Sequence, residues 1–461
     1  MAKSVDFLHG KIMRTLFALA LPIMMTYFVQ TAYSLIDMIW IGRLGSAAVA
    51  GVGVSGMFLW FSSGISLMSR MGGQVKIGHS LGAGDEKEAK AFLGGMLQLS
   101  TFLAITYGLV INLFANQLIG FFHLNGADSI ANAVIYLRIT CGMVFFPFLN
   151  QAFTCTYNVC GDSRTPFFIN TFGLLVNLAA DPLFIFGFGP LQGLGAAGAA
   201  IATACSQILV FLVFLWKIIG KNAIFQGLYL LRRRKSTYYR QIIRIGLPLA
   251  LQDMLFSTCS MIIARFVAAY GDGPVAAQKI GTQIESITWM AADGFMAAIN
   301  AFISQNYGAG RMDRVRAGYR DIMIIVLIWG TACSLLLILL PGPIFRIFLD
   351  DPEVLPIGIQ YLSILGFSQL FMCAEITTSG AFAGLGNTLP PSSESIVLTF
   401  MRIPLILLLT GTSLGLAGIW WSISISSICK GIVLVSWYLL YQKKICVQNV
   451  QEKQHFRAKI T

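Results

Sequence analysis

Tyr33 and Asp37 lie four residues apart in the long apolar run Leu21 to Gly45, LPIMMTYFVQTAYSLIDMIWIGRLG. On a helix this spacing puts phenol and carboxylate on one face, about one turn apart. An Asp at the centre of a membrane helix costs about 2.5–3.5 kcal/mol on insertion scales, so intramembrane acids face a cavity, a partner or an ion. Asn177 and Asp181 repeat the four-residue spacing in a second apolar run, and Asn150 and Thr203 stand in two more. Tyr33, Asp37, Asn150, Asn177, Asp181 and Thr203 together offer carboxylate, amide, phenol and hydroxyl oxygens. That is the donor chemistry of a hard cation such as Na+, whereas a transition metal would want thiols or imidazoles. The same acids suit a proton equally, because two close carboxylates share one. A structural reading stands beside both: Asn177 and Asp181 cap or kink their helix ahead of Pro182.

The second half has its own intramembrane polar set: Gln252, Asp253, Gln283, Glu285, Asp293, Glu375 and Arg402. Gln252, Gln283, Glu285 and Glu375 form a candidate substrate or second-lobe polar site. For Glu285 the alternatives are a cationic substrate, a coupling ion, or a salt bridge to Arg265 or Lys279. Asp253 and Glu394 are expected near the cytoplasmic ends of their spans. No catalytic set is visible. The four His residues (9, 79, 123 and 455) avoid mid-span positions, and the nine Cys residues lack metal-type spacing. No enzyme activity, no cofactor and no metal beyond a possible Na+ at the first-half site are expected.

The elements that must position these groups are membrane helices. Of 461 residues 56% are hydrophobic and only 11% charged, against about 25% charged in soluble domains. Mean hydropathy is +0.74. Apolar stretches long enough to cross a bilayer predict twelve spans, at 14–41, 47–72, 90–122, 131–157, 166–188, 194–219, 240–270, 274–304, 315–341, 353–384, 391–412 and 415–442. No cleavable signal peptide is expected. With an even span number both termini share one side, and 25 of the 32 Lys and Arg fall there. The positive-inside rule makes that side the cytoplasm, so the net charge of +12 is topological and no nucleic-acid partner is expected. The basic run 231–240 is read as contacting anionic headgroups.

An internal repeat divides the chain. At an offset of 226 residues Leu21-Pro22 falls on Leu247-Pro248, Gly45 on Gly271, and Gly82-Ala83-Gly84 on Gly308-Ala309-Gly310. CGDSRTP (160–166) pairs with LGNTLPP at 225, and LGAAGAA (194–200) with LGLAGIW at 220. Two parallel six-span halves follow, with a central cavity expected between them. The expected partition is an N-lobe at 1–220, a cytoplasmic linker at 221–240, a C-lobe at 241–442 and a cytoplasmic tail at 443–461. The counterpart of Asp37 is Ile263 and that of Asp181 is Ile406, so the first half alone keeps this acid pair.

These motifs, with NLAADPLFIFG, GLGAAGAAIAT, QKIGTQIES and SQNYGAGRMDRV, resemble the multidrug and toxic compound extrusion (MATE) family. Glu285 within QIES makes the DinF-like branch the nearer likeness. The resemblance implies an all-α, V-shaped, two-lobed transporter of the inner membrane, working by alternating access. It would export organic, often cationic compounds in exchange for Na+ or H+, with the six first-half residues as its cation site. Its expected partners are small-molecule substrates and the lipid bilayer, and it is expected to be monomeric. The alternative is a flippase for lipid-linked or polysaccharide precursors built on the same superfold.

Overall fold

The computed structural model describes residues 5–122, 126–188, 191–219, 224–225, 234–349 and 351–460, without the side chains of 33–35, 46–47, 50, 188, 191, 219 and 445–460. The first half is α1 (Ile12–Gly42), α2 (Ser46–Gly82), α3 (Glu86–Gly120), α4 (Ala127–Gly142), α5 (Phe145–Val159), α6 (Arg164–Phe186) and α7 (Gly195–Ile219). The second is α8 (Ser236–Ala268), α9 (Asp272–Gly308), α10 (Met312–Leu339), α11 (Pro341–Arg346), α12 (Leu355–Gly384), α13 (Leu389–Phe400), α14 (Arg402–Thr410) and α15 (Leu416–Ile460). Between α6 and α7 a two-stranded antiparallel hairpin pairs Gly187 with Gln192 and Phe188 with Leu191. Among the described residues eleven helical stretches are long and apolar enough to cross a bilayer, α13 and α14 counting together, and the bent pair α4–α5, taken as one span, makes a twelfth. Among the described residues the architecture is therefore nearly all-helical, with twelve candidate spans. Lipid-facing positions carry large exposed side chains such as Leu113, Trp216, Ile328 and Leu408, as expected where the solvent is hydrocarbon.

Two spans expected to be continuous are broken, and proline explains both. The fourth bends by 45° between Gly142 and Phe145. Pro147 follows, and its ring cannot tolerate the carbonyl of the residue four earlier, Met143. The eleventh breaks at Met401, where Pro404 excludes the carbonyl of Phe400 in the same way. Each proline then sits in the first turn of the next helix, where a missing N–H is tolerated.

The repeat is written in the backbone. Gly84 (φ 77°) and Gly310 (φ 69°) occupy the left-handed region at equivalent points, which a side chain would strain. In both turns the next amide reaches back to close the helix end: Asp85 N–H to Ser80 O at 2.9 Å, and Arg311 N–H to Asn306 O at 2.8 Å. Gly161 with Gly386 and Gly195 with Gly415 form further positive-φ pairs at the offsets of the sequence repeat.

By internal contacts the chain forms two units, residues 1–6 with 18–250, and residues 7–17 with 251–461. The first unit has a core built on Phe92, Met96, Phe153, Tyr157 and Phe214, and a second around Tyr107, Leu137 and Phe148. The second unit packs Ile263, Ile284, Phe345, Tyr361, Leu365 and Trp420 together. The division of α1 falls between Phe17 and Ala18, four residues ahead of Pro22. The carbonyl of Ala18 that the proline cannot use accepts from Ser163 Oγ at 3.4 Å.

Candidate functional site

The first unit gathers its polar side chains from five helices. α6 runs through Pro182 to Phe186, so Asn177 and Asp181 cap no helix end. They bond to each other instead, Asn177 Nδ2 donating to Asp181 Oδ1 at 2.8 Å. Asp181 is fully buried and Asn177 nearly so. α7 supplies the next link, with Ser206 Oγ within hydrogen-bonding distance of Asn177 Oδ1 (3.2 Å) and of the Thr203 carbonyl (2.8 Å). The following residue, Gln207, accepts from Asn150 Nδ2 through both its carbonyl (2.9 Å) and its Oε1 (3.0 Å). A chain of hydrogen-bonded and sequence-adjacent groups thus runs from Asn150 on α5 through α7 to Asp181 on α6.

Asp37, on α1, is an electrostatic neighbour of Asp181. Both carboxylates act on Tyr136 of α4, which is itself buried. Three acceptor oxygens in this region are buried with no hydrogen-bond partner: Asp37 Oδ1, Asp181 Oδ2 and Asn150 Oδ1. Buried acceptors are rarely left unpaired. Three on three helices, two of them carboxylate, make an oxygen set suited to a hard cation or a proton.

Of the six first-half residues, Asp37, Asn150, Asn177 and Asp181 enter this arrangement by side chain. Thr203 enters through its carbonyl, and the side chain of Tyr33 lies outside the described residues. Ser206, Gln207 and Tyr136 were not among the sequence candidates. The signal for Ser206 was its position three residues after Thr203, and for Tyr136 its repeat counterpart Tyr361.

In the second unit Glu285 is buried on α9 and accepts from Tyr361 Oη (2.9 Å) and Gln369 Nε2 (2.6 Å) of α12. Those two groups, rather than Arg265 or Lys279, are its partners. Gln283 is exposed, while Gln252 on α8 has a buried, unpartnered Oε1. Glu375 and Glu394 are buried beside Lys430. Glu394 lies five residues past the start of α13, near one end of its span, and is buried within the protein.

The MatE family profile matches the chain twice in order, at residues 22–183 and at residues 248–408. The chain belongs to the MATE family. The two matches coincide with the two halves of the repeat. Among MATE relatives, a probable multidrug resistance protein NorM of Thermotoga maritima is 29% identical over 89% of this chain and 88% of its own length. An FAD transporter of Shewanella oneidensis is 27% identical over 87% and 88%. A multidrug resistance MATE family transporter of the MOP superfamily, solved in an outward-facing conformation, superimposes with a TM-score of 0.89 at 22% identity, over 96% of this chain and 99% of that one.

The Asn177–Asp181 bond carries a prediction. In Asn177→Leu the carboxylate loses its donor and Ser206 loses a partner. Groups that orient ion ligands this way are worth roughly 10–100-fold in ion affinity. If Asp181 holds a coupling ion, the ion concentration giving half-maximal transport is expected to rise by that factor. An unchanged value would remove Asn177 from the site.

Proposed function

We propose that this MATE-family chain is a secondary active exporter of organic, often cationic, drug-like compounds, driven by inward movement of Na+ or H+. Its coupling ion binds among Asp37, Asp181, Asn150 and Asn177, with Tyr33 and Thr203 completing the shell. It works as a monomer in the inner membrane with both termini in the cytoplasm, and its Glu285 supports a place among the DinF-like members.

One observation carries the reading: the three buried, unpartnered oxygens of Asp37, Asp181 and Asn150. Two carboxylates to which no basic residue donates among the described residues are a standing demand for positive charge, and a proton or Na+ meets it. Occupancy then alters packing among α1, α6 and α7, the helices that supply and connect these groups. An ion drives transport only so far as it binds two conformations unequally, so the shell must differ between inward-open and outward-open forms. The flippase alternative needs a wide cationic cavity for pyrophosphate. The buried cations Arg402 and Lys430 bond to serines instead, which argues against it.

The test is efflux of a fluorescent organic cation from proteoliposomes under an imposed Na+ gradient and, separately, an imposed proton gradient. One gradient is expected to accelerate efflux several-fold in the wild type and to lose that effect in Asp37→Asn. Acceleration by neither gradient would end the antiport reading.

A further inference from the structure

The two halves place corresponding residues in partly corresponding bonds, with charged side chains in the second half where the first has neutral amides. At the 225-residue offset Tyr136 falls on Tyr361, Asn150 on Glu375 and Asn177 on Arg402. At 220, Ser206 falls on Ser426 and Gln207 on Ser427. The contacts follow the register. In the first unit Ser206 bonds Asn177. In the second, Arg402 Nε donates to Ser426 Oγ and its Nη2 to Ser427 Oγ, both at 3.1 Å. Tyr136 faces Asp37 and Asp181, while Tyr361 donates to Glu285.

Arg402 and Lys430 are both buried. The guanidinium has Glu285, Glu375, Cys259 and Tyr361 as electrostatic neighbours, and the ammonium has Glu375 and Glu394. Neither forms a direct salt bridge among the described residues. Arg402 is held by the two serines and Lys430 by Ser395 Oγ at 2.8 Å, and both lie 5.8 Å from the centre of the Phe256 ring. Three buried acids thus stand against two tethered cations, whereas among the described residues the acid pair of the first unit has no tethered cation beside it.

We infer that Arg402 is a built-in counter-ion that takes, in the second unit, the place a mobile cation takes in the first. The inference rests on the reading of the Asp37–Asp181 site as the coupling site. An exchangeable cation neutralises the first unit once per cycle. In the second, the guanidinium on α14 holds the register position of Asn177 permanently and keeps Glu285 from recruiting an ion. Arg402 is then a positioning residue that decides which half of the repeat couples. Replacing it with an uncharged side chain that still reaches the serines leaves Glu285, Glu375 and Glu394 against Lys430 alone, and a second monovalent cation should enter.

The experiment counts cations bound by the purified full chain in lipid nanodiscs. Na+ is titrated calorimetrically, and proton release or uptake is followed with a pH indicator. Wild type is expected to bind one cation, lost in Asp37→Asn. Arg402→Gln is expected to bind two. Its second cation should persist with Asp37→Asn added and vanish with Glu285→Gln added. Arg402→Lys should return the count to one. An unchanged count in Arg402→Gln, or a second site indifferent to Glu285, overturns the inference.

Glu285→Gln in the otherwise wild-type chain tests it without relying on the folding of the Arg402 variant. The count should stay at one, because Glu285 already has its counter-ion. A count reduced by one would make Glu285 an ion ligand and overturn the inference. Failure of Asp37→Asn to lower the wild-type count would instead strike the first-unit reading, so the two failures are distinguishable.

Discussion

Asp37→Asn is expected to reduce drug resistance to that of cells lacking the transporter, while folded protein is made at normal yield. The side chain keeps its shape and loses its charge. Asp37 Oδ1 is buried without a donor, so the amide breaks no hydrogen bond at that atom and the fold has little to lose. The site loses much more. Removing one partner from a buried charge interaction costs about 3–5 kcal/mol, and each 1.4 kcal/mol is tenfold in affinity. The ion should therefore bind roughly 10²- to 4 × 10³-fold more weakly or not at all, and a gradient that cannot load the site cannot drive export. Efflux of a fluorescent cation from intact cells, with membrane levels matched by immunoblot, is the measurement. Resistance that survives at matched levels would show that Asp37 does not couple. Passive binding of drug to the purified variant should change little, which separates a coupling defect from a damaged drug site.

Why Asp37 was legible and its surroundings were not is a matter of energetic contrast. A carboxylate in hydrocarbon is expensive enough to stand out in one sequence, and so Asp37, Asp181, Glu285 and Glu375 were all visible. A serine or glutamine is not. Ser206 and Gln207, which connect Asn150 to Asn177, are ordinary residues on an apolar helix until their partners are known. Glu394 is a mixed case: its place near the start of α13 follows from spacing, whereas its burial beside Lys430 of α15 does not.

The same contrast governs the fold. Span limits follow from apolar length, and most helix ends lie within four residues of the hydropathy reading; α2 and α15 run ten and eighteen residues past the expected ends at 72 and 442, because a helix continues beyond the apolar stretch that hydropathy detects. The breaks at Met143 and Met401 come from single prolines acting four residues upstream. Pro147 and Pro404 were in plain view, but a hydropathy window averages them away. The repeat was legible because its glycines are demanded by backbone conformation rather than by local composition: Gly84 and Gly310 share a left-handed turn that other residues adopt only with strain.

Gly246→Leu is expected to remove most of the folded protein, an effect as large as that of Asp37→Asn but of different origin. A Cβ on Gly246 would sit 1.8 Å from the Met68 carbonyl oxygen, and one on Gly72 would sit 2.0 Å from that of Ile242. The pattern is reciprocal: each glycine faces the carbonyl of the residue four before the glycine of the other helix. α2 and α8 therefore touch backbone to backbone within the first unit. Between membrane helices the surrounding lipid is as apolar as the side chains, so close van der Waals contact does the work that hydrophobic burial does in water. Overpacking usually costs about 1–3 kcal/mol because side chains adjust. Here the obstacle is backbone, which cannot rotate away, so the cost should exceed that range. Gly53→Ala supplies the control in α2 itself, since nothing lies within 4 Å of its added Cβ. It should leave stability level or raise it by up to about 1 kcal/mol, because alanine is the better helix former. Fluorescence-detected gel filtration and a thermal ramp on both variants decide the matter. A monodisperse Gly246→Leu protein melting within a few degrees of wild type would mean that the two helices do not meet at these glycines.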